Sequence, residues 1–344
     1  MINESMAKKI LSLLKYIIFL GGGLLLVWWQ LHSMTDEQET QFINAFKSAN
    51  YILVIPVVII NLLSHLSRSM RWKLLMEPLG YNPTLKNVFG ATMVGYLANS
   101  AVPRLGEVLK CTLLAKYEKL PADKLIGTIL IERTFDLITY VFFILFTVCI
   151  QINVVGSFVK NKLRAVTDGA LPIWLKLIIL ATIIFIILLI VKKIFSSYPN
   201  NKTLLGIKHF FEGIGKGFAA IKNLKDRRAF IFHSIFIWCM YLLQIYLGFK
   251  AMEGTAHLGV KAACSVLSLS TLAMIITPGG IGSFPFFVME TLSIYGISSS
   301  QGNAFGWLIW GASTGIIIVA GLASLLLLPY INKKKHEIDI ANKK

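Results

Sequence analysis

The chain has 344 residues, of which 56% are hydrophobic and only 15% charged, with a mean hydropathy of +0.69. So apolar a composition excludes an ordinary soluble domain of this length and indicates an all-α polytopic membrane protein, a single domain over residues 1–344. Lys and Arg number 34 against 17 Asp and Glu, a net charge of +17. No nucleic-acid motif accompanies that charge, and its spread over several loops fits cytoplasmic membrane loops instead.

Hydropathy predicts six full spans, at about 10–31, 50–67, 125–150, 173–191, 229–249 and 302–328. Lys8 and Lys9 precede the first apolar run, which continues to Trp28 and Trp29 without a small-x-small cleavage site, so it reads as a retained span rather than a signal peptide. An acidic loop follows, with Asp36, Glu37 and Glu39. Two further apolar segments, about 86–119 and 262–298, are interrupted by Pro and Gly. Each divides into two legs of about 15 residues, and such a leg rises only about 22 Å against a hydrocarbon core of roughly 30 Å. Each pair therefore reads as a broken-helix, re-entrant hairpin. The breaks are Pro103 and Gly106 in the first, and Pro278, Gly279, Gly280 and Gly282 in the second.

Charge sets the expected orientation. Lys8, Lys9 and Lys15, then Arg68, Arg71 and Lys73, then the basic loop 192–228, then Lys333 to Lys335 all mark the cytoplasmic side, so both termini are expected inside. Lys160, Lys162 and Arg164 in loop 151–172 fit the outside less well. Within the connector 192–228, residues 204–224 carry apolar residues at helical spacing, as an interfacial helix or a plain linker helix would. The first hairpin is then entered from inside and the second from outside. Units 50–150 and 229–328 would form an inverted repeat, a plan that recurs in transporters.

The residues able to carry chemistry are few. "TILIERTFDLITYVFF" places Glu132, Arg133 and Asp136 in one apolar helix, with Glu132 and Asp136 on one face and Arg133 three residues before Asp136. Charges in a span cost on the order of 2.5–3.5 kcal/mol each at the helix centre on insertion scales. They must face protein or a polar cavity, either as a substrate or ion site or as an ion-pair lock between helices. Arg104 and Glu107 stand at the first break, where free N–H groups and a guanidinium fork suit a phosphate; a charged tip reaching water is the plainer reading. Arg68 and Arg71, beside Trp72, either bind lipid phosphate or follow the positive-inside bias. Glu290 either completes a polar cavity opposite Glu132 or lies at the interface. The four cysteines and six histidines show no disulfide or metal spacing, and no hydrolase, nucleotide or metalloprotease motif is present. No cofactor or metal is expected.

Taken in order, R-W at Arg71–Trp72, P-R-x-G-E at Pro103–Glu107, E-R-x-x-D at Glu132–Asp136 and P-G-G-x-G at Pro278–Gly282 resemble the membrane domain of the lysylphosphatidylglycerol synthases, the flippase-like family also designated UPF0104. The resemblance spans about residues 10–330. It implies a bacterial or archaeal cytoplasmic-membrane protein that handles a polar lipid. In larger members a soluble aminoacyl-transferring domain follows and the membrane part is linked to flipping the product; archaeal relatives are linked to lipid-linked sugars. No such soluble domain follows here, so the expectation is a lipid flippase or translocator acting on membrane lipids, with a separately encoded lipid-modifying enzyme as a possible partner. The alternatives are an enzyme or membrane subunit of lipid modification, and an ion-coupled transporter of a small solute.

Overall fold

A computed structural model describes residues 20–151, 222 and 224–341, and every regular element among them is helical. In chain order these are α1 (20–32), α2 (Asp36–Lys47), α3 (Tyr51–Met76), α4 (Leu85–Ala101), α5 (Leu105–Glu118), α6 (Ala122–Ile150), α7 (Arg227–Lys250), α8 (Val260–Ile276), α9 (Ser283–Ser293) and α10 (Ser299–Ala341), with short 3₁₀ turns between. Among the described residues four helices are long and apolar enough to cross a membrane: α3 extended through Leu79, α6, α7, and Ser299–Lys333 of α10. The expected span 173–191 and nearly all of the connector 192–228 lie outside the described residues.

Two expectations are corrected here. The acidic segment read as a loop is α2. Its start is a capping box, in which Thr35 Oγ1 accepts from the Gln38 amide at 3.3 Å while the Gln38 side chain accepts from the Thr35 amide at 3.0 Å. Asp36, Glu37 and Glu39 in the first turn also suit the positive end of the helix. The span expected to end at residue 67 continues to Met76. Arg68, Arg71 and Trp72 are therefore inside a helix and buried, rather than at a loop surface.

Both interrupted segments are pairs of helices. In the first, the chain leaves α4 in an extended conformation at Val102 and enters α5 through Arg104, whose φ of 67° is left-handed. Gly106 lies beyond this break, in the first turn of α5, where it lets α4 and α5 touch: an added methyl would fall 1.9 Å from Gly95 O. In the second, Pro278–Gly280 form a 3₁₀ turn, and Gly279, Gly280 and Gly282 all have positive φ. The two breaks approach one another, since a methyl on Gly279 would sit 3.4 Å from Ser100 Cα.

Hydrogen bonds identify two ends of the bundle. At one, the Asn50 amide donates to Ala251 O at 2.8 Å. At the other, Glu118 Oε1 accepts from the Thr84 amide at 2.9 Å and the Asn87 amide at 2.7 Å, and Asn87 exchanges amide bonds with Asn332. Two apolar cores fill the described bundle. One gathers Val57, Phe249, Val266, Leu292 and Phe305; the other gathers Trp72, Met76, Val88, Leu114, Leu125 and Phe230.

Candidate functional site

A buried ionic network lies beside the second core. Four helices build it. Helix α3 supplies Arg68 and Arg71, one turn apart on its inner face; α5 supplies Lys110; α6 supplies Glu132 and Asp136, four residues apart and so on one face. Arg68 Nη1 lies 2.7 Å from Asp136 Oδ2 and 3.7 Å from Glu132 Oε1. Arg71 Nη2 donates to Asp136 Oδ1 and lies 3.7 Å from Glu132 Oε1. Lys110 Nζ lies 2.9 Å from Glu132 Oε2. The fourth helix, α7, adds neutral acceptors: Ser234 Oγ takes a bond from Arg71 at 3.2 Å, and Tyr241 OH takes one from Arg68 at 3.2 Å.

Aromatic rings pack against two of these cations. Lys110 Nζ sits 4.3 Å from the centroid of the Trp72 ring, and the Trp72 indole N–H donates to Thr128 Oγ1 at 2.8 Å. The Arg71 guanidinium carbon lies 5.8 Å from the centroid of the Phe230 ring. Such contacts favour a cation over an aromatic face. The count of charges decides what the site can do. Among the described residues three buried cations face two carboxylates, leaving one positive charge in excess, and Nε of both Arg68 and Arg71 has no hydrogen-bond partner. Burial costs charge dearly unless it is paired, so an anion is the complementary ligand. Among the described residues the network is most open at Asp136, whose side chain keeps 17% of its exposure, against 10% for Arg68 and 1% for Glu132.

The remaining candidates lie elsewhere. Arg133 does not pair with Asp136; it bonds Glu107 Oε1 at 2.7 Å, in a half-exposed bridge between α6 and the start of α5. Arg104 is exposed at the tip and makes no ion pair among the described residues. Glu290 is exposed on α9, and no ion pair brings it to Glu132 among the described residues; Glu132 faces α3 and α5 instead. Trp310 of α10 donates to Gly279 O at 2.8 Å and so fastens the second break. Among the described residues no group of three His, Cys, Asp or Glu is placed to hold a metal. A groove of about 360 Å³ runs past Leu75, Gly127, Thr128 and Ile131 to Asp123 and Lys124, and Thr128, which lines it, is the residue that accepts from the Trp72 indole.

The family described as "Lysylphosphatidylglycerol synthase TM region" matches residues 12–321. The chain belongs to that family. Among curated proteins it is similar to the UPF0104 membrane protein MJ1595 of Methanocaldococcus jannaschii, with 25% identity over 319 residues, covering 86% of this chain and 90% of that protein. No solved structure matches the chain significantly.

This member of the lysylphosphatidylglycerol synthase transmembrane family is accordingly a multi-pass membrane protein. Of the motifs that carry the resemblance, R-W and E-R-x-x-D meet in the network through Arg71, Trp72, Glu132 and Asp136, whereas P-R-x-G-E and P-G-G-x-G form the two breaks. The sequence reading passed over Lys110, Ser234 and Tyr241. The signal for Lys110 was present, since it is a lone cation within the apolar run Val108–Leu114.

Proposed function

We propose that this protein moves a phosphate-bearing polar lipid across the cytoplasmic membrane, its tails remaining in the bilayer while its headgroup passes the network of α3, α5, α6 and α7. The excess buried positive charge carries this reading. A phosphodiester would neutralise it, and the unpartnered Nε atoms of Arg68 and Arg71 are donors suited to phosphate oxygens. Asp136, at the most open corner, competes with that phosphate for the same two guanidinium groups, so a headgroup can bind without being trapped. The network also ties three helices of the first hairpin unit together, and this structural role is compatible with the first.

The alternation of helix lengths supports an inverted repeat. Helices of 26, 17, 14 and 29 residues (α3 to α6) are followed by helices of 24, 17, 11 and 43 residues (α7 to α10). In our reading the two units have opposite orientation, their hairpins are re-entrant, and the breaks meet inside the bilayer. The end bearing Glu118 and Asn332 is cytoplasmic, as are both termini, and a separately encoded lipid-modifying enzyme is the natural partner.

The test is reconstitution in vesicles containing acyl-labelled fluorescent phosphatidylglycerol, with chemical quenching of the outer leaflet. Wild type should expose inner-leaflet lipid to the quencher faster than empty vesicles, and Arg68→Gln should abolish the gain. Labelled inorganic phosphate, assayed in parallel, separates the sources of the anion. Phosphate uptake without lipid movement would replace the lipid by a soluble solute.

A further inference from the structure

The inner face of α3 continues as a polar ladder beyond the ionic network. Asn61, His65 and Arg68 follow one another at helical spacing, and Asn61 and His65 are each 5% exposed. Ten buried side-chain N or O atoms among the described residues lack a hydrogen-bond partner, and five belong to this ladder: Asn61 Oδ1, both ring nitrogens of His65, and Nε of Arg68 and Arg71. Buried polar atoms are rarely left unmet in native proteins, so so many along one face mark a path for a ligand. Asn61 stands seven residues before Arg68, roughly 10 Å further from the cytoplasmic end.

At that level lies a second polar group. Gln244 of α7 accepts from Asn61 Nδ2 at 3.1 Å and donates through Nε2 to Ser313 Oγ of α10. Its place in the chain is informative. Arg68 follows Tyr51, the first residue of α3, by 17 residues, and Gln244 follows Arg227, the first of α7, by 17. Asp136 follows Ala122 by 14, and Ser313 follows Ser299 by 14. The Arg68–Asp136 ion pair and the Gln244–Ser313 hydrogen bond therefore occupy the same positions in the two four-helix units. Arg133 and Trp310 share a position too, and each fastens the break of its own hairpin.

From this correspondence we infer a second headgroup station, formed by Asn61, His65, Gln244 and Ser313, which binds uncharged hydroxyl groups of the lipid headgroup. It rests on the lipid reading above. Amide and hydroxyl groups both donate and accept, as an alcohol or polyol requires, and they carry no charge to hold a phosphate. The two stations are thus chemically different although equivalent in position. The ionic one engages phosphate and the neutral one engages the hydroxyl-bearing end of the headgroup, roughly 10 Å apart along α3. A site built to hydrogen-bond a hydroxyl discriminates against the analogue without it, because its buried polar groups are then left unpaired.

Native mass spectrometry of the full chain tests this. The protein is offered an equimolar mixture of dioleoyl phosphatidylglycerol, with two headgroup hydroxyls, and dioleoyl phosphatidylmethanol, with none. Wild type should retain phosphatidylglycerol in about tenfold preference, the yield of one or two buried hydrogen bonds. Gln244→Met and Ser313→Ala should each reduce that preference several-fold, with folding checked by the melting temperature of the same sample. If Gln244→Met does not fold, Ser313→Ala decides, because it removes only a half-buried hydroxyl. A wild-type ratio near one, or a preference unchanged in the folded variants, overturns the second station. Arg68→Gln reads the other station separately. Loss of both lipids in that variant supports the phosphate site, whereas retention of both at wild-type levels overturns the phosphate reading whatever the hydroxyl preference.

Discussion

Lys110 and Glu132 form a buried ion pair, 2.9 Å apart, that joins the second leg of the first hairpin to the helix after it. Removing one member of a buried pair leaves its partner's charge uncompensated, which costs about 3–5 kcal/mol, whereas replacing both by apolar groups of like volume is often neutral. Removing Glu132 leaves Lys110, Arg68 and Arg71 facing Asp136 alone, so Glu132→Leu should lower the melting temperature in detergent substantially. Lys110→Met combined with Glu132→Leu should regain part of the loss. Two additive losses would show that the pair is not energetically coupled.

Asp136→Asn separates the structural role of the network from its ligand role. The substitution removes the carboxylate shared by Arg68 and Arg71 and raises the excess positive charge by one. It should destabilise the lipid-free protein by about 3–5 kcal/mol. A ligand that binds only the folded state stabilises it by mass action, so added phosphatidylglycerol should restore more of the melting temperature in Asp136→Asn than in wild type. Phosphatidylcholine, whose headgroup is zwitterionic, should restore less. Equal restoration by both lipids would show that the site does not sense net charge.

Two glycines of the first unit should respond oppositely to the same substitution. Gly106→Ala drives a methyl to 1.9 Å from Gly95 O and 2.6 Å from Asn99 Cγ, and backbone cannot give way as a side chain can. It should force α4 and α5 apart and lose folded protein on expression. Gly127→Ala meets nothing within 4 Å on α6 and should hold or raise the melting temperature, since Ala is favoured over Gly in a helix by up to about 1 kcal/mol. Size-exclusion yield and thermal unfolding of the two variants measure this contrast.

The sequence reading named Arg68 and Arg71 as well as Glu132 and Asp136, but not that the two pairs meet inside the bundle, and for a physical reason. Glu132 and Asp136 stand out because nothing else in α6 near them is charged except Arg133, so their burial could be inferred from cost alone. Arg68 and Arg71 lie where hydropathy falls after an apolar run, and a falling window looks the same whether the helix ends or turns a polar face inward. Only the contacts to Asp136, 68 and 65 residues away in the chain, distinguish the two cases, and long-range pairing has no local signature. The exchange of partners follows from the same limit. Spacing permits Arg133 to meet Asp136 on one helix, but packing against α5 offers Arg133 the Glu107 carboxylate at 2.7 Å instead. By contrast, both helix breaks were legible, because Pro103 at the first, and Pro278 with positive-φ glycines at the second, act locally. The capping box of α2 was equally local and was overlooked beneath the acidic composition.

The orientation of the bundle is the last outcome to test, and the two hydrogen-bonded ends make it concrete. Ser48 and Glu253 line one groove at the end where Asn50 bonds Ala251; Gly80 and Lys119 lie near Thr84 and Glu118, at the other. In a variant with Cys111, Cys149, Cys239 and Cys264 replaced by Ala, single changes Ser48→Cys and Glu253→Cys should react with an impermeant maleimide in intact cells. Gly80→Cys and Lys119→Cys should react only after permeabilisation. This follows because the chain concentrates Lys and Arg in the connector 192–228 just before α7, and such loops remain on the cytoplasmic side. The opposite pattern would turn the molecule over and place the excess positive charge of the network in the outer half, where it would receive lipid rather than load it. Mixed reactivity within one end would contradict the pairing of Asn50 with Ala251, and with it the arrangement of the two units.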